Sequence, residues 1–487
     1  MGSFRLRQHY GARREIVGSN RGKLHRTGNA AFGVPHSRAM RFSARLLLTF
    51  ALALAAPLHA ATTVTLLHFS DYHSHALPFY SEDRDDQGGI ARAIDYLQRE
   101  KRRGALVFSG GDMINKGSPA WSDKYRCVEW PWLNGLVDAM AFGNHDPDYG
   151  PAEFARCRAE ARYPILSANT EGFQKYDVFV RDGVKIGVFA VAGPDFPALV
   201  KAAPFVYTDR IAAARAVVQT LREEEHVDAV VLIGHEHLDD DFALAKAVPG
   251  IDVILGTHSH LKRDWMQIPG TSTWFISPFQ YLTYISRVEL TFDHHRLTKA
   301  RGTLVRMEPP LPSDAATKRK VAKLEAELQR DPQYASLFET ITTLLRPMSV
   351  PELAGVTLRT MRAVAQADVA LSTASSFRQP LPAGALTDEL LRAAMPYEND
   401  IYVYDLTGAA LAKLVAYAQA SGGTDPVLYM VGAESIDETK TYRVAVTDFL
   451  AKVAPGYREI LAPFPAVKSG FKVREQVRQV FAVKLLE

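Results

Sequence analysis

The chain has 487 residues, 47% of them hydrophobic and 23% charged, with 32 Gly and 27 Pro: too long for one ordinary domain, and globular and turn-rich in composition. Its formal charge of +3 comes from residues 1–60, which hold 10 of the 57 Lys and Arg but 1 of the 54 Asp and Glu. The remainder has 47 basic against 53 acidic residues, which excludes the basic footprint of a nucleic-acid binder.

From Met40 the chain runs Met40-Arg41-Phe42-Ser43-Ala44-Arg45, then the apolar Leu46 to Pro57, then Leu58-His59-Ala60. A basic start, an apolar middle and a small residue at a cleavage point form a signal peptide. The apolar run is short for a bilayer span, and an N-terminal anchor helix is the alternative. Residues 1–60 are therefore expected to be a leader, with Met40 the initiator. The mature chain is expected in the periplasm or outside the cell, with no stable membrane span. In an oxidising compartment Cys127 and Cys157 can pair, closing a loop near residue 144; two separate buried thiols fit the sequence as well.

Thr63 to Phe69 is a predicted strand ending at Ser70-Asp71-Tyr72-His73-Ser74-His75. Alternate residues of an extended chain share a face, so Asp71 and His73 can reach one ion. His75 continues the alternation, and His68 inside the strand is expected to be a satisfied core residue. Gly89 to Leu97 has helical spacing. Ala105 to Phe108 then leads to Ser109-Gly110-Gly111-Asp112, where paired glycines let the backbone come close to an ion or phosphate and Asp112 has two oxygens to bridge cations. Met140-Ala141-Phe142 precedes Gly143-Asn144-His145-Asp146-Pro147-Asp148, whose mixed oxygen and nitrogen donors suit Mn, Zn or Fe better than Ca. Further strands are predicted over Tyr163 to Asn169 and over Val184 to Val191, the latter in a hairpin after Asp182-Gly183. A helix is predicted over Ile211 to Glu225. Val227 to Ile233 ends at Gly234-His235-Glu236-His237, and Ile251 to Leu255 ends at Gly256-Thr257-His258-Ser259-His260. Five apolar runs thus each deliver polar ligands at their carboxyl ends, the edge at which open α/β sheets build sites.

These clusters, in this order, resemble the calcineurin-like metallophosphoesterases and, within them, the exported two-domain 5′-nucleotidase family. The resemblance implies two divalent metal ions (Mn, Zn, Fe or Co). Asp71, His73 and His260 would hold one, Asn144, His235 and His258 the other, and Asp112 would bridge them. His145 with Asp148 would be the dyad that stabilises the transferring phosphoryl group, and Asp146 stands where the family has Glu.

His294-His295 reads as a hairpin tip. After Glu308-Pro309-Pro310-Leu311-Pro312, an exposed linking helix is expected from an N-cap at Ser313 to Gln329. Ala367 to Leu371, Leu381 to Thr387 and Ile401 to Leu406 resemble the 5′-nucleotidase substrate domain. Of that family's phosphate loop, only Arg378 survives in Ser372-Thr373-Ala374-Ser375-Ser376-Phe377-Arg378. Tyr397 and Asn399 stand in the place of Pro-Phe-Gly-Asn, so Tyr397 can stack on a base and Asn399 can hydrogen-bond it. Phe449 and Gly456-Tyr457 match a further nucleoside loop, but Pro455 replaces its Asp and offers neither carboxylate nor N–H.

The expected fold is α/β: a four-layer α/β/β/α catalytic domain over residues 61–308, with mixed or antiparallel-leaning sheets. A linker over 309–346 and a smaller α/β substrate domain over 347–487 follow. The expected reaction is hydrolysis of a small phosphorylated substrate, a nucleoside 5′-monophosphate first. The enzymatic alternatives are a 2′,3′-cyclic-nucleotide phosphodiesterase, a UDP-sugar hydrolase and a thiosulfohydrolase; the non-enzymatic one is a ligand-binding protein that kept the fold. The sequence does not fix the oligomeric state.

Overall fold

The computed structural model describes residues 61–201, 204–420, 428–433 and 435–483; the expected leader and signal peptide lie outside them. In the first domain two six-stranded sheets lie face to face. One runs in the order Arg296–Arg306, Tyr284–Asp293, Thr62–Phe69, Leu106–Ser109, Ala139–Ala141, Ile165–Leu166. The other runs Lys262–Gln267, Trp274–Pro278, Val253–Gly256, Ala229–His235, Val184–Ala192, Tyr176–Arg181.

The central strands are buried on both faces, which is why they read as unbroken apolar runs. Leu66, Phe108, Val188, Val231 and Leu255 fill the space between the sheets. Helices Ile90–Lys101 and Ala315–Arg330 cover the outside of the first sheet, and Arg210–Glu223 and Leu238–Ala247 that of the second. This is the four-layer α/β/β/α arrangement. The sheets are mixed, as expected, without leaning antiparallel: they are parallel at the centre, where helical or long connections cross over, and antiparallel where hairpins border them.

The run from Tyr163 to Asn169 yields only the strand Ile165–Leu166. The chain leaves the first sheet there: the Ala168 amide donates to the Ala190 carbonyl at 2.7 Å, and the Asn169 side chain accepts from the Ala192 amide at 2.8 Å and donates to the Ala192 carbonyl at 3.0 Å, both in the Val184–Ala192 strand of the second sheet. His294 and His295 form the hairpin tip, both with positive φ. The Ala315–Arg330 helix is capped by Asp314, which accepts from the Thr317 amide at 2.7 Å, rather than by Ser313. Nor is it exposed all round: Val321 and Leu328 join the core beneath it.

The second domain is a five-stranded sheet in the order Leu428–Val431, Val369–Thr373, Thr441–Thr447, Asp400–Thr407, Ala466–Lys472. Helices Val350–Val364 and Val473–Ala482 pack on one face, Gly408–Ala420 and Tyr457–Leu461 on the other. Within the stretch Leu381 to Thr387, residues Gly384–Thr387 form a strand.

Cys127 and Cys157 are bonded, with Cα atoms 5.7 Å apart, and tie the Trp130–Leu133 turn to the Pro151–Glu160 helix behind the Asn144 loop. The bond spans 30 positions. A loop of that size restricts the unfolded chain by about 3–4 kcal/mol. Replacing both cysteines by Ser is predicted to cost about that much in a denaturant titration; a loss below about 1 kcal/mol would show that the link adds little to stability.

Candidate metal centre

The carboxyl ends of the central strands of both sheets converge on one edge. Asp71 and His73 follow Thr62–Phe69, Asp112 follows Leu106–Ser109, Asn144 and His145 follow Ala139–Ala141, His235 ends Ala229–His235, and His258 and His260 follow Val253–Gly256. Each offers a donor on a short loop held by its neighbours: the Asp71 amide donates to the Gly111 carbonyl and that of His73 to the Asp112 carbonyl.

Asp71, His73, Asp112 and His260 bring one donor atom each to within 4.8 Å of one another, and Asp112, His235 and His258 do the same. Asp112 belongs to both groups. Its Oδ2 lies 3.7 Å from His73 Nε2 and its Oδ1 lies 3.4 Å from His235 Nε2. Asn144 Oδ1 approaches the same His235 nitrogen at 3.2 Å. His73 Nε2 and His260 Nε2 face each other at 3.1 Å, while His73 Nδ1 donates to the Ile114 carbonyl and His235 Nδ1 to the Gly110 carbonyl. With their Nδ1 protons so fixed, the two Nε2 atoms are left as lone-pair donors.

Two observations show that the site fits cations. Asp71 Oδ1 and Asp112 Oδ2 are buried and accept no hydrogen bond, a costly arrangement for carboxylates unless a positive charge meets them. The backbone is also strained around the cluster. Asp71, His73, Asp112, His258 and His260 all lie in the left-handed region, with φ of 49°, 48°, 51°, 56° and 51°. Such residues cost on the order of 1–3 kcal/mol each and persist where function requires them.

The glycines act differently from expectation. A Cβ on Gly143 would overlap the Asp112 amide and carboxylate, and one on Gly111 would press on Ala141 and Gly143. Close approach here joins two protein loops; it does not make room for an ion. Asp146 closes the same junction, accepting from the Met113 and Gly143 amides at 2.8 Å each. Burial and the Asp112 charge push its carboxyl up to about 7.

His145 stands at the open side. Its Nδ1 donates to Asp148 Oδ2 at 2.8 Å, and Asp148 also accepts from the Lys116 amide. Burial opposes a charge on His145, but the Asp148 carboxylate, together with Tyr397 and the Asp112 carboxylate, outweighs it and raises the imidazole well above its ordinary range. His145 Nε2 lies 3.5 Å from the Tyr397 hydroxyl, which accepts from Arg378 at 3.0 Å. The Arg378 guanidinium also contacts His260, and Gln280 donates to the Arg378 carbonyl at 2.8 Å. Arg378 and Tyr397, from the second domain, therefore reach the metal-side cluster.

Asn399 and Phe449 are not brought to it. The Asn399 carbonyl accepts from the Val473 amide, and Phe449 packs against the second domain's core. Neither has a hydrogen bond or ring contact to the cluster among the described residues. Tyr457 is buried and edge-on to Tyr417 at 4.9 Å, so the segment with Pro455 serves packing.

His68 is buried, and neither ring nitrogen has a hydrogen-bond partner, so it is a core residue but not a satisfied one; burial lowers its pKa to about 3 and keeps it neutral. His75 is no ligand candidate; it donates to the His73 carbonyl and stacks on Tyr281 at 3.6 Å. Tyr281, Asp195 and His237 are absent from the site residues expected from the sequence. Asp195 follows the apolar Val184–Ala192 strand after Gly193-Pro194, the same signal that marked the ligand candidates.

The profile of the calcineurin-like phosphoesterases matches residues 64–262, and that of the 5′-nucleotidase C-terminal domain matches 349–435. Protein UshA of Yersinia enterocolitica is 26% identical over 85% of this chain and 90% of its own. The 5′-nucleotidase of Vibrio vulnificus is 24% identical over 85% and 89%. Among solved structures, the 5′-nucleotidase precursor of Thermus thermophilus shares the fold with a TM-score of 0.71, at 23% identity over 88% of this chain and 97% of its own. The sulfate thiohydrolase SoxB of the same species does so with a TM-score of 0.66, at 20% identity over 86% and 94%. Fold, site and profile together define a calcineurin-like metallophosphoesterase, a class that uses divalent metals. With both matched domains in order, the chain belongs to the 5′-nucleotidase family and is a metal-dependent phosphoester hydrolase.

Proposed function

We propose that this protein is an exported, dinuclear-metal 5′-nucleotidase acting on nucleoside 5′-monophosphates. The observation that carries this reading is the shared position of Asp112 between two groups of donors, with His145, Arg378 and Tyr397 at their open side. Asp71, His73 and His260 would hold one ion, Asn144, His235 and His258 the other, and Asp112 would serve both; Mn, Zn, Fe and Co all suit these donors. When bound, such a pair supplies a water-derived nucleophile at neutral pH and positive charge for the phosphoryl oxygens. The chain does the rest. His145, oriented through Nδ1 by Asp148, presents Nε2–H to an oxygen that gains negative charge. Arg378 offers a planar fork that matches phosphate. The working division is a catalytic domain over 61–308, a linker over 309–346 and a substrate domain over 347–487. Export is supported by the leader and by the Cys127–Cys157 bond, which suits an oxidising compartment. Among the described residues no helix is long and apolar enough to cross a membrane.

The test is phosphate release from AMP, UMP, a UDP-sugar, a 2′,3′-cyclic nucleotide and nitrophenyl phosphate, with Mn, Zn, Co and Mg supplied in turn. A marked preference for AMP and UMP is expected, and a preference for the small ester would refute the nucleotide assignment. Tyr397 sharpens the question, because its hydroxyl lies so near His145. If its ring stacks on a base, Tyr397→Ala lowers kcat/KM for AMP and UMP by roughly five- to a hundredfold and spares nitrophenyl phosphate, whereas Tyr397→Phe is nearly silent. An equal loss on all three substrates, reproduced by Tyr397→Phe, would assign the role to the hydroxyl instead.

A further inference from the structure

Of the four candidate histidine ligands, His73 and His235 have the second ring nitrogen fixed by a backbone carbonyl, and His260 meets Arg378. His258 differs. Its Nε2 lies 2.9 Å from Asp195 Oδ2, while the residue also offers a nitrogen to the group it forms with Asp112 and His235. Asp195 comes from the strand two places away. Val184–Ala192 pairs with Ala229–His235, placing Ala192 opposite His235, and the Gly193 amide donates to the His235 carbonyl at 2.9 Å. The chain then turns through Pro194 and carries Asp195 past His235 to His258. The same Oδ2 meets His237 Nε2 at 3.2 Å, so two imidazoles from two further strand ends converge on one carboxylate oxygen. The other oxygen, Oδ1, is buried and accepts no hydrogen bond.

An imidazole whose one nitrogen donates to a carboxylate has its tautomer and ring plane fixed, and its other nitrogen is a better donor to a metal. We propose that Asp195 is a positioning residue for the metal centre: it holds the proton on His258 Nε2 and so presents His258 Nδ1 as the ligand, with His237 as a second donor that balances the carboxylate. This rests on the assignment of His258 as a metal ligand. Asp195 itself touches neither ion nor substrate in this account. The sequence shows none of the pairing, because the three residues lie after three different strands.

The experiment is a titration of the chelator-treated full chain with Zn, in competition with a chromophoric chelator, supported by the visible spectrum of the Co-loaded protein. Asp195→Asn is expected to weaken one of two ions by about 10–100-fold, leave the other unchanged and alter one component of the Co spectrum. Asp195→Glu, which keeps the charge on a longer arm, is expected to recover part of that affinity. His237→Gln is expected to leave both ions bound within about twofold, since His258 keeps its carboxylate, a change well below that of losing an outer-shell partner. Thermal melts of the metal-free variants check that folding is intact. His258→Ala separates the two levels of the argument. If it loses an ion while Asp195→Asn binds both as the unmodified chain does, the positioning role is refuted and the ligand assignment stands. If His258→Ala keeps both ions at full affinity, the ligand assignment fails and takes the proposal with it. A third ion per chain, lost in both Asp195→Asn and His237→Gln, would make Asp195 a ligand and overturn the positioning role.

Discussion

Asp112→Asn is expected to cost the protein at least one metal ion and to lower phosphate release by more than about a hundredfold. The substitution is a narrow one. Asn has the shape of Asp, and it is among the few residues that tolerate the left-handed conformation that residue 112 adopts, with φ of 51°. The amides that meet the carboxylate put a limit on secondary damage: His145 N donates to Oδ1 at 2.8 Å, and an Asn carbonyl oxygen can accept that bond. What changes is the charge between the two groups of donors. The buried Oδ2, which accepts no hydrogen bond, would become an NH2 with donors aimed where a cation should sit. Metal content by mass spectrometry after dialysis, with turnover on AMP and on nitrophenyl phosphate, is the measurement. Two ions per chain and near-native turnover in this variant would show that Asp112 does not bridge.

The site was legible in the sequence to the extent that it is written at strand ends. Each apolar run stops at a polar residue where the chain leaves the sheet, so Asp71, Asp112, Asn144, His235 and His258 could be read one at a time. Their order resembled a known family, and the structure draws all seven candidate ligands together on one edge. What could not be read is what depends on distance between strands. Asp195 meets His258 across an intervening strand, and no periodicity in the chain records that. Gly143 and Asp146 looked like part of the ligand loop, but they secure it against the Asp112 loop. In the second domain the difficulty is different. Its ligand-facing loops have few residues in common with the family; Tyr397 and Arg378 reach the cluster, while Phe449 packs on the second domain's core and Asn399 makes no hydrogen bond to the cluster among the described residues. The strand at Ile165–Leu166 is short because the chain crosses to the second sheet through the Ala168 amide and the Asn169 side chain, which a reading of apolar pattern does not register.

His145→Gln separates binding from chemistry more cleanly than any other single change. His145 is next to Asn144 in sequence, yet it stands in neither group of metal donors, and both its ring nitrogens have other company: Asp148 at 2.8 Å on one side and the Tyr397 hydroxyl at 3.5 Å on the other. Its backbone amide, which donates to Asp112, survives the substitution, so the bridge between the two groups of donors keeps that contact. Both ions are therefore expected to remain bound. The rate is another matter. A donor aimed at developing negative charge in a site that excludes water is worth about 10²–10³ in kcat, and Gln, although it can donate, lacks the fixed aim that Asp148 gives the imidazole. We expect kcat to fall by roughly a hundredfold or more with KM changed far less, since the bond is made chiefly in the transition state. Asp148→Asn should give a smaller loss of the same kind, because the imidazole stays but its orientation and charge are less well held. Steady-state kinetics on nitrophenyl phosphate, alongside metal analysis of the same preparations, decides the matter. If His145→Gln sheds an ion, His145 is a ligand. If the metals stay and kcat is unchanged, the charge on the leaving oxygen is met by some other group, and Arg378, a second-domain cation bonded to the Tyr397 hydroxyl, becomes the first candidate.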